Sequence, residues 1–213
     1  MGVDRYLVPG RDGEAEIEVR RSRFLCTVRR VEDETAARAA VDRLRRQHWD
    51  ARHHCSAFVL GRDRDVERSS DDGEPAGTAG APMLEVLRGH GGEGVSDVVA
   101  VVTRWFGGTL LGAGGLVRAY GDAVRAALEV TGTRPRALLR ELLLDVDHAD
   151  AGRVESELRS RGVEVLDTTY AARVALRLGV APADEERLHA LVAELTSGTA
   201  VAAPAGERWV DLS

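Results

Sequence analysis

The segment that most constrains this fold is a cluster of five glycines placed between a predicted strand and a predicted helix. Residues 95–102 are rich in valine and predict a central strand buried on both faces. Arg104 stands at the end of that strand, and the glycines follow it: Gly107, Gly108, Gly112, Gly114 and Gly115. Apolar residues then recur at helical spacing as far as Gly132: Leu116, Tyr120, Ala123, Val124, Ala127 and Leu128. A buried strand, a sharp glycine-rich turn and an amphipathic helix therefore form the centre of the fold.

The residues before this centre predict further strands and one helix. Alternating apolar residues in 14–31 indicate a hairpin with its turn at residues 20–23, and Asp33 or Thr35 is placed to cap a following helix. Residues 54–60 predict another strand, followed by a turn and a short edge strand. The polar stretch 69–82 predicts a loop that enters a helix near Pro82.

A different pattern begins after Pro135. It predicts a strand at 138–146, a helix at 149–161, strands at 163–169 and 171–178, a helix at 182–195 and a closing strand within 199–203. This β-α-β-β-α-β order is the ferredoxin-like plan. We place a boundary at 133–137, so the chain is predicted to be an α+β protein with domains at residues 1–135 and 136–213.

Charge and composition limit the classes of function. Of the 213 residues, 44% are hydrophobic and no stretch has the length of a membrane span, so we expect a soluble cytoplasmic protein. Residues 1–136 hold 21 arginines and 21 acids, whereas residues 137–213 hold 8 arginines and 14 acids. A contact with nucleic acid would therefore fall to arginine clusters of the first domain.

The glycine cluster is a candidate anion site, because bare backbone followed by a helix N-terminus suits phosphate. Arg104 and Arg118, the latter expected in the first helical turn, could add phosphate contacts. The segment lacks the Gly-Lys-Ser/Thr ending of a P-loop and the last glycine of a dinucleotide fingerprint, which excludes both readings. Alternatively the glycines only allow close packing, with Arg118 paired to Asp122 and Arg125 to Glu129.

The acidic loop carries Asp71, Asp72 and Glu74, and it allows two interpretations. The three carboxylates could hold Mg²⁺, which prefers oxygen ligands. Asp72 or Glu74 could instead accept hydrogen bonds from Arg104 and from the glycine turn, while Thr78 caps the next helix. In the second interpretation the two segments form a single site with no metal and no cofactor.

Other candidates are weaker. Arginines on the first helix and just after it form a secondary basic patch: Arg38, Arg45, Arg46 and Arg52. His53, His54 and Cys55 are adjacent, so alternate side chains of a strand would point to opposite faces and do not suit zinc. Cys26 and Cys55 are expected to be buried, and Trp105, Phe106 and Tyr120 are either core or a stacking surface for bases.

The two segments DDGEPAGTAGAP (71–82) and RWFGGTLLGAGGLVRAY (104–120), together with ARHHCSAFVLG (51–61), resemble the signature of the IMPACT family, including its bacterial YigZ-type members. The resemblance covers nearly the whole chain. It implies a first domain like the second domain of ribosomal protein S5 and a second domain similar to an elongation-factor module. Trp105 stands where tyrosine is common in the family, and Leu110 where many relatives have lysine.

Eukaryotic members of that family regulate translation through a ribosome-associated partner during starvation. The resemblance therefore implies a non-enzymatic binding protein in translation regulation or stress response, contacting RNA, the ribosome or a ribosome-associated protein. The alternatives are a magnesium-dependent hydrolase or phosphoryl-handling enzyme that uses the acidic loop, and a pure protein-interaction adaptor. The oligomeric state stays open.

Overall fold

The computed structural model describes residues 4–212, which divide into one compact unit up to Pro135 and a second at Arg136–Leu212. Both units combine antiparallel sheets with helices, so the α+β fold class is confirmed. No helix among the described residues is long and apolar enough to cross a membrane.

The first unit is built on a five-stranded sheet in the order β2-β3-β6-β4-β5. Its strands are β2 (Gly13–Val19), β3 (Ser22–Arg30), β4 (His53–Leu60), β5 (Val66–Ser70) and β6 (Val98–Trp105). A short strand, β1 (Arg5–Pro9), lies along residues 95–97, where the N–H of Ser96 donates to the Leu7 carbonyl. The predicted central strand is correct in kind but starts three residues later and includes Arg104.

Three helices cover this sheet, and they lie on opposite faces. They are α1 (Glu34–Gln47), α2 (Gly80–Gly89) and α3 (Ala113–Thr131). The α1 face packs on Val99 and Val101 of β6, whereas α2 and α3 pack on Val98, Ala100 and Val102. Because side chains alternate along a strand, this split of β6 defines two cores, one on each face.

Local signals account for the helix ends. Asp33, one of the two predicted candidates, accepts from the N–H of Ala36 and caps α1. Gly132 ends α3, but α3 begins at Ala113, earlier than expected, so Arg118 lies in its second turn and not in the first. Gly114 and Gly115 consequently belong to the helix and not to the turn before it.

The second unit has the predicted β-α-β-β-α-β order. Its elements are β7 (Thr133–Val146), α4 (His148–Ser160), β8 (Glu164–Tyr170), β9 (Val174–Val180), α5 (Glu185–Thr196) and β10 (Ala203–Asp211). β9 pairs with both β7 and β8, and β10 pairs with β7, which is the ferredoxin-like arrangement. The closing strand was predicted too early: Thr199 and Ala200 bond back to Thr196 at the end of α5, so pairing starts only at Ala203.

Candidate functional site

The centre of the first unit is a buried carboxylate, Glu74, whose side chain is only 4% exposed. One oxygen, Oε1, accepts from Arg104 Nη1 at 2.5 Å and from the Tyr120 hydroxyl at 2.8 Å. His53 Nε2 lies 4.0 Å from the same oxygen. Of the two carboxylates considered as partners of Arg104, Glu74 makes the contact, and it joins the acidic loop to the end of β6.

Aromatic rings and a thiol surround this pair. The Arg104 guanidinium carbon lies 5.3 Å from the centre of the Phe24 ring, which packs edge-on against Tyr120. The Cys55 sulfur lies 3.3 Å from the Tyr120 hydroxyl oxygen and 3.0 Å from the Asp71 carbonyl oxygen. Burial raises the pKa of Tyr120, and it raises the pKa of the Cys55 thiol to about 12. Cys55 is thus a protonated, buried thiol with no thiolate character near neutral pH.

The other two acids of the loop point elsewhere. Asp71 accepts from the N–H groups of Gly77, Ala79 and Gly80, which fixes the loop onto the start of α2. Burial opposes its ionisation, but those three donors hold the pKa of Asp71 below its usual range. The prediction that Thr78 caps this helix is wrong, since its hydroxyl donates to the Pro75 carbonyl and Asp71 serves the helix N-terminus.

Asp72 faces the opposite side of the sheet. Its carboxylate accepts from Arg45 at 2.7 Å and from the His54 N–H at 2.6 Å, and its carbonyl meets His53 Nδ1 at 2.9 Å. Asp71, Asp72 and Glu74 therefore serve three separate sets of donors. Within residues 4–212, no group of three or more His, Cys, Asp and Glu side chains is arranged to hold a metal ion. These contacts do not fit the magnesium ligand set considered from the sequence.

The glycine-rich turn lies against the tip of the β2–β3 hairpin. The Gly107 N–H donates to the buried Ser22 hydroxyl, and a Cβ on Gly107 would come within 2.0 Å of the Arg21 carbonyl carbon and oxygen. Only glycine allows that approach. Gly108 and Gly112 have positive φ angles of 85° and 74°, whereas Gly114 has open space around it.

The two characteristic segments contain two arginines, Arg104 and Arg118, and of these Arg118 is exposed. Among the described residues it has no ion-pair partner. The alternative pairs Arg118–Asp122 and Arg125–Glu129 do not form, because Asp122 pairs with Arg125. Arg118 lines a groove of about 870 Å³ between α2 and α3. Other lining residues are Ala81, Val86, Gly114, Val117 and Arg125.

The secondary basic patch is partly neutralised. Arg38 pairs with Glu34, and Arg45 pairs with Asp42 and Asp72. Arg46 and Arg52 are exposed, with no ion pair in the described part of the chain. Trp105 is half-buried and donates its indole N–H to Asp50, which lies two residues before Arg52.

Sequence reasoning missed Tyr120, Cys55 and His53 as members of the central cluster. Tyr120 was placed on the buried helix face, and a buried tyrosine hydroxyl needs a partner, which was the available signal. His53 and Cys55 reach the cluster only through the register that sets His53 opposite Arg104 and Cys55 opposite Val102.

The fold and this cluster define a two-unit α+β protein in which the acidic loop and the glycine-rich segment fasten to each other. Residues 20–128 match the family described as the Impact N-terminal domain, and residues 144–199 match a domain of unknown function, DUF1949. The chain belongs to the IMPACT family, as its motifs predicted.

Curated relatives agree with this assignment. The chain is 39% identical to IMPACT family member YvyE of Bacillus subtilis, over 91% of this chain and 88% of that protein. It is 37% identical to IMPACT family member YigZ of Escherichia coli, over 92% of this chain and 96% of that protein. A crystal structure described as that of a hypothetical protein has a TM-score of 0.62 and 36% identity, covering 95% of this chain and 98% of that chain.

Proposed function

We propose that this protein is a non-enzymatic binding protein that acts on translation through a contact with the ribosome, by way of RNA or a ribosome-associated protein. The observation that carries the proposal is the internal use of the charged residues in the two characteristic segments. The hydrogen bonds of Glu74, Arg104 and Asp71 are made to other groups of the protein. We therefore infer that these side chains stabilise the fold and do not act on a substrate.

What remains available for a partner is the exposed surface beside these segments. Arg118 projects from α3 next to the groove between α2 and α3, and no carboxylate among residues 4–212 pairs with it. An exposed arginine without an ion pair, beside a groove lined by both apolar and charged residues, offers charge and contact area to a partner. Arg104 is withdrawn from the binding surface, because its side chain is only 7% exposed.

Co-sedimentation of the full chain with purified ribosomes at low salt tests this proposal. We expect the wild type to pellet with ribosomes and Arg118→Glu to lose about tenfold in affinity. Arg187→Glu, which makes the same charge change at an exposed arginine of α5, is the matched control and should bind as the wild type does. Arg46→Glu reports on the α1 patch.

A wild-type protein that stays in the supernatant at low salt refutes the proposed function. If Arg46→Glu alone loses binding, the function stands but the contact lies on α1. A melting curve for each variant shows whether a lost contact reflects unfolding, and we expect none of these exposed changes to lower the melting temperature by more than a few degrees.

A further inference from the structure

The tip of the β2–β3 hairpin is built from two arginines in a backbone conformation that arginine rarely adopts. Val19 pairs with Ser22, so Arg20 and Arg21 alone form the turn. Their φ angles are +48° and +66°, the pattern of a type I′ turn. That turn strongly favours Asn-Gly, because glycine has no Cβ to clash at positive φ and the short side chain of asparagine tolerates this conformation better than arginine does.

No carboxylate among the described residues accounts for the positive charge at this turn. Both arginines are exposed, and neither meets a carboxylate in the described part of the chain. Arg21 Nη2 donates to the Thr109 hydroxyl at 3.2 Å, and Arg20 Nη1 makes a long contact of 3.4 Å to the Leu110 carbonyl. Each guanidinium has five N–H donors, so most of its hydrogen-bonding capacity is unused. An Asn-Gly turn would close the same hairpin with less strain and no charge.

Exposed apolar side chains lie beside these cations. The glycine-rich turn presses on the hairpin tip at Gly107, and its neighbours Phe106 and Leu110 are 46% and 81% exposed. Within residues 4–212, the backbone N–H groups of Gly108, Thr109 and Leu110 have no hydrogen-bond partner. Unpaired guanidinium groups, free N–H donors and an exposed aromatic ring thus meet on one small surface.

We propose that this surface, formed by Arg20, Arg21 and residues 106–110, binds single-stranded RNA. The two guanidinium groups contact neighbouring phosphates, and an unstacked base packs on the exposed ring of Phe106. A duplex offers no unstacked base, so its affinity is lower. The nearest charge that opposes binding on the hairpin is Glu18, which is exposed, whereas Glu16 is already paired with Arg23.

The strain at the tip makes the test selective. Arg20→Asn with Arg21→Gly restores the residues that the turn prefers, so this double variant should melt a few degrees higher than the wild type and yet bind RNA at least tenfold more weakly. If the two arginines served only the fold, replacing them would not raise the melting temperature and weaken RNA binding at the same time. The matched control is Arg43→Gln with Arg187→Gln, which removes two exposed, unpaired arginines elsewhere.

The measurement is fluorescence anisotropy of a labelled 12-nucleotide oligouridine with the full chain over a series of salt concentrations. Losing two phosphate contacts should reduce the slope of log affinity against log salt by about 1.4. Phe106→Ala should weaken binding about tenfold with no change of slope, and Glu18→Gln should strengthen it slightly.

Binding by the double variant at wild-type affinity and slope overturns the inference, and so does an equal loss in the control. The inference rests on the proposed function only for its translational setting, and the two can fail separately. Ribosome association that depends on Arg118, without oligouridine binding, rejects the RNA surface and leaves the proposed function intact. Oligouridine binding without ribosome association supports the RNA surface and rejects the proposed function.

Discussion

Each unit of the molecule holds a buried glutamate between two donors, but the donors differ strongly in their exposure to solvent. In the first unit Glu74 accepts from Arg104 and Tyr120, and the side chains of Glu74 and Arg104 are 4% and 7% exposed. In the second unit Glu141 accepts from Arg177 and Arg208, which are 39% and 48% exposed. Glu74 accepts from one guanidinium and one hydroxyl, and Glu141 from two guanidinium groups, of which only the latter are in contact with solvent. An arginine that loses its glutamate in the first unit cannot be solvated by water, whereas the arginines of the second unit can.

The largest expected effect is the loss of the buried pair. Glu74→Gln should lower the free energy of unfolding by about 3 to 5 kcal/mol, because it leaves the Arg104 guanidinium buried without a counter-charge. Urea unfolding followed by circular dichroism measures this value. The double variant Glu74→Leu with Arg104→Met should recover most of the loss, since neither charge then remains. A loss of under 1 kcal/mol in the single variant would contradict the contrast between the units.

A smaller effect is expected at the glycines. Gly107→Ala places a methyl group against the Arg21 carbonyl and should cost about 1 to 3 kcal/mol. Gly152→Ala, in the middle of α4 with open space around it, should stabilise the protein by about 0.5 to 1 kcal/mol. Thermal melts of both variants give the comparison. Equal effects would show that the turn of the first unit has room to adjust.

The helix N-termini give the next step down. Asp71→Asn should cost about 1 to 2 kcal/mol, because Asp71 accepts from the N–H of Gly77 in the loop and from those of Ala79 and Gly80 at the start of α2. Asp147 precedes α4 and makes no side-chain capping bond, so Asp147→Asn should lower the free energy of unfolding by under about 0.5 kcal/mol. The folded-state pKa of Asp71 lies below its ordinary value of 3.8, so its contribution is present above that pH. The difference between wild type and Asp71→Asn should therefore shrink as the pH falls below 3.8.

A smaller effect than those of Glu74 and Asp71 is expected at the glutamate of the second unit. Glu141→Gln should cost about 1 kcal/mol or less, since Arg177 and Arg208 stay solvated. Hydrogen bonds from Arg177 and then Arg208 lower the pKa of Glu141, so this stability is present at neutral pH and is lost as the medium becomes acidic. Added salt should also reduce it, as unfolding at two ionic strengths would show. If Glu141→Gln lowered the free energy of unfolding as much as Glu74→Gln does, the expected contrast between the two buried glutamates would be wrong.

Much of the fold was predictable because its signals are local. The hairpin, the Asp33 cap, the buried valine strand and the element order of the second unit all follow from spacing and turn residues. A pairing of Arg104 with the acidic loop was predictable because the two segments carry opposite charges, but the choice of Glu74 over Asp72 was not. The start of β10 was not, since the side chain of Thr196 holds Ala200 back, a contact that spacing does not reveal.

The central cluster was less accessible to sequence reasoning. Its members come from β4, the acidic loop, β6 and α3, and only the packed register brings Cys55 close to Tyr120. The hairpin tip was predicted as a polar turn, but its positive φ angles were not, because arginine is a poor choice for that conformation. Local preference and observed backbone disagree there, and such a disagreement is where a role beyond folding is to be sought.

The burial of both cysteines has a practical consequence for experiments on this chain. Cys26 and Cys55 are the only thiols, both are fully buried, and burial raises the pKa of each. Maleimide reagents need an accessible thiolate, so the native chain should react with them very slowly. A single cysteine introduced at the exposed Leu110 would then carry one fluorophore beside the hairpin tip without any need to remove the natural thiols.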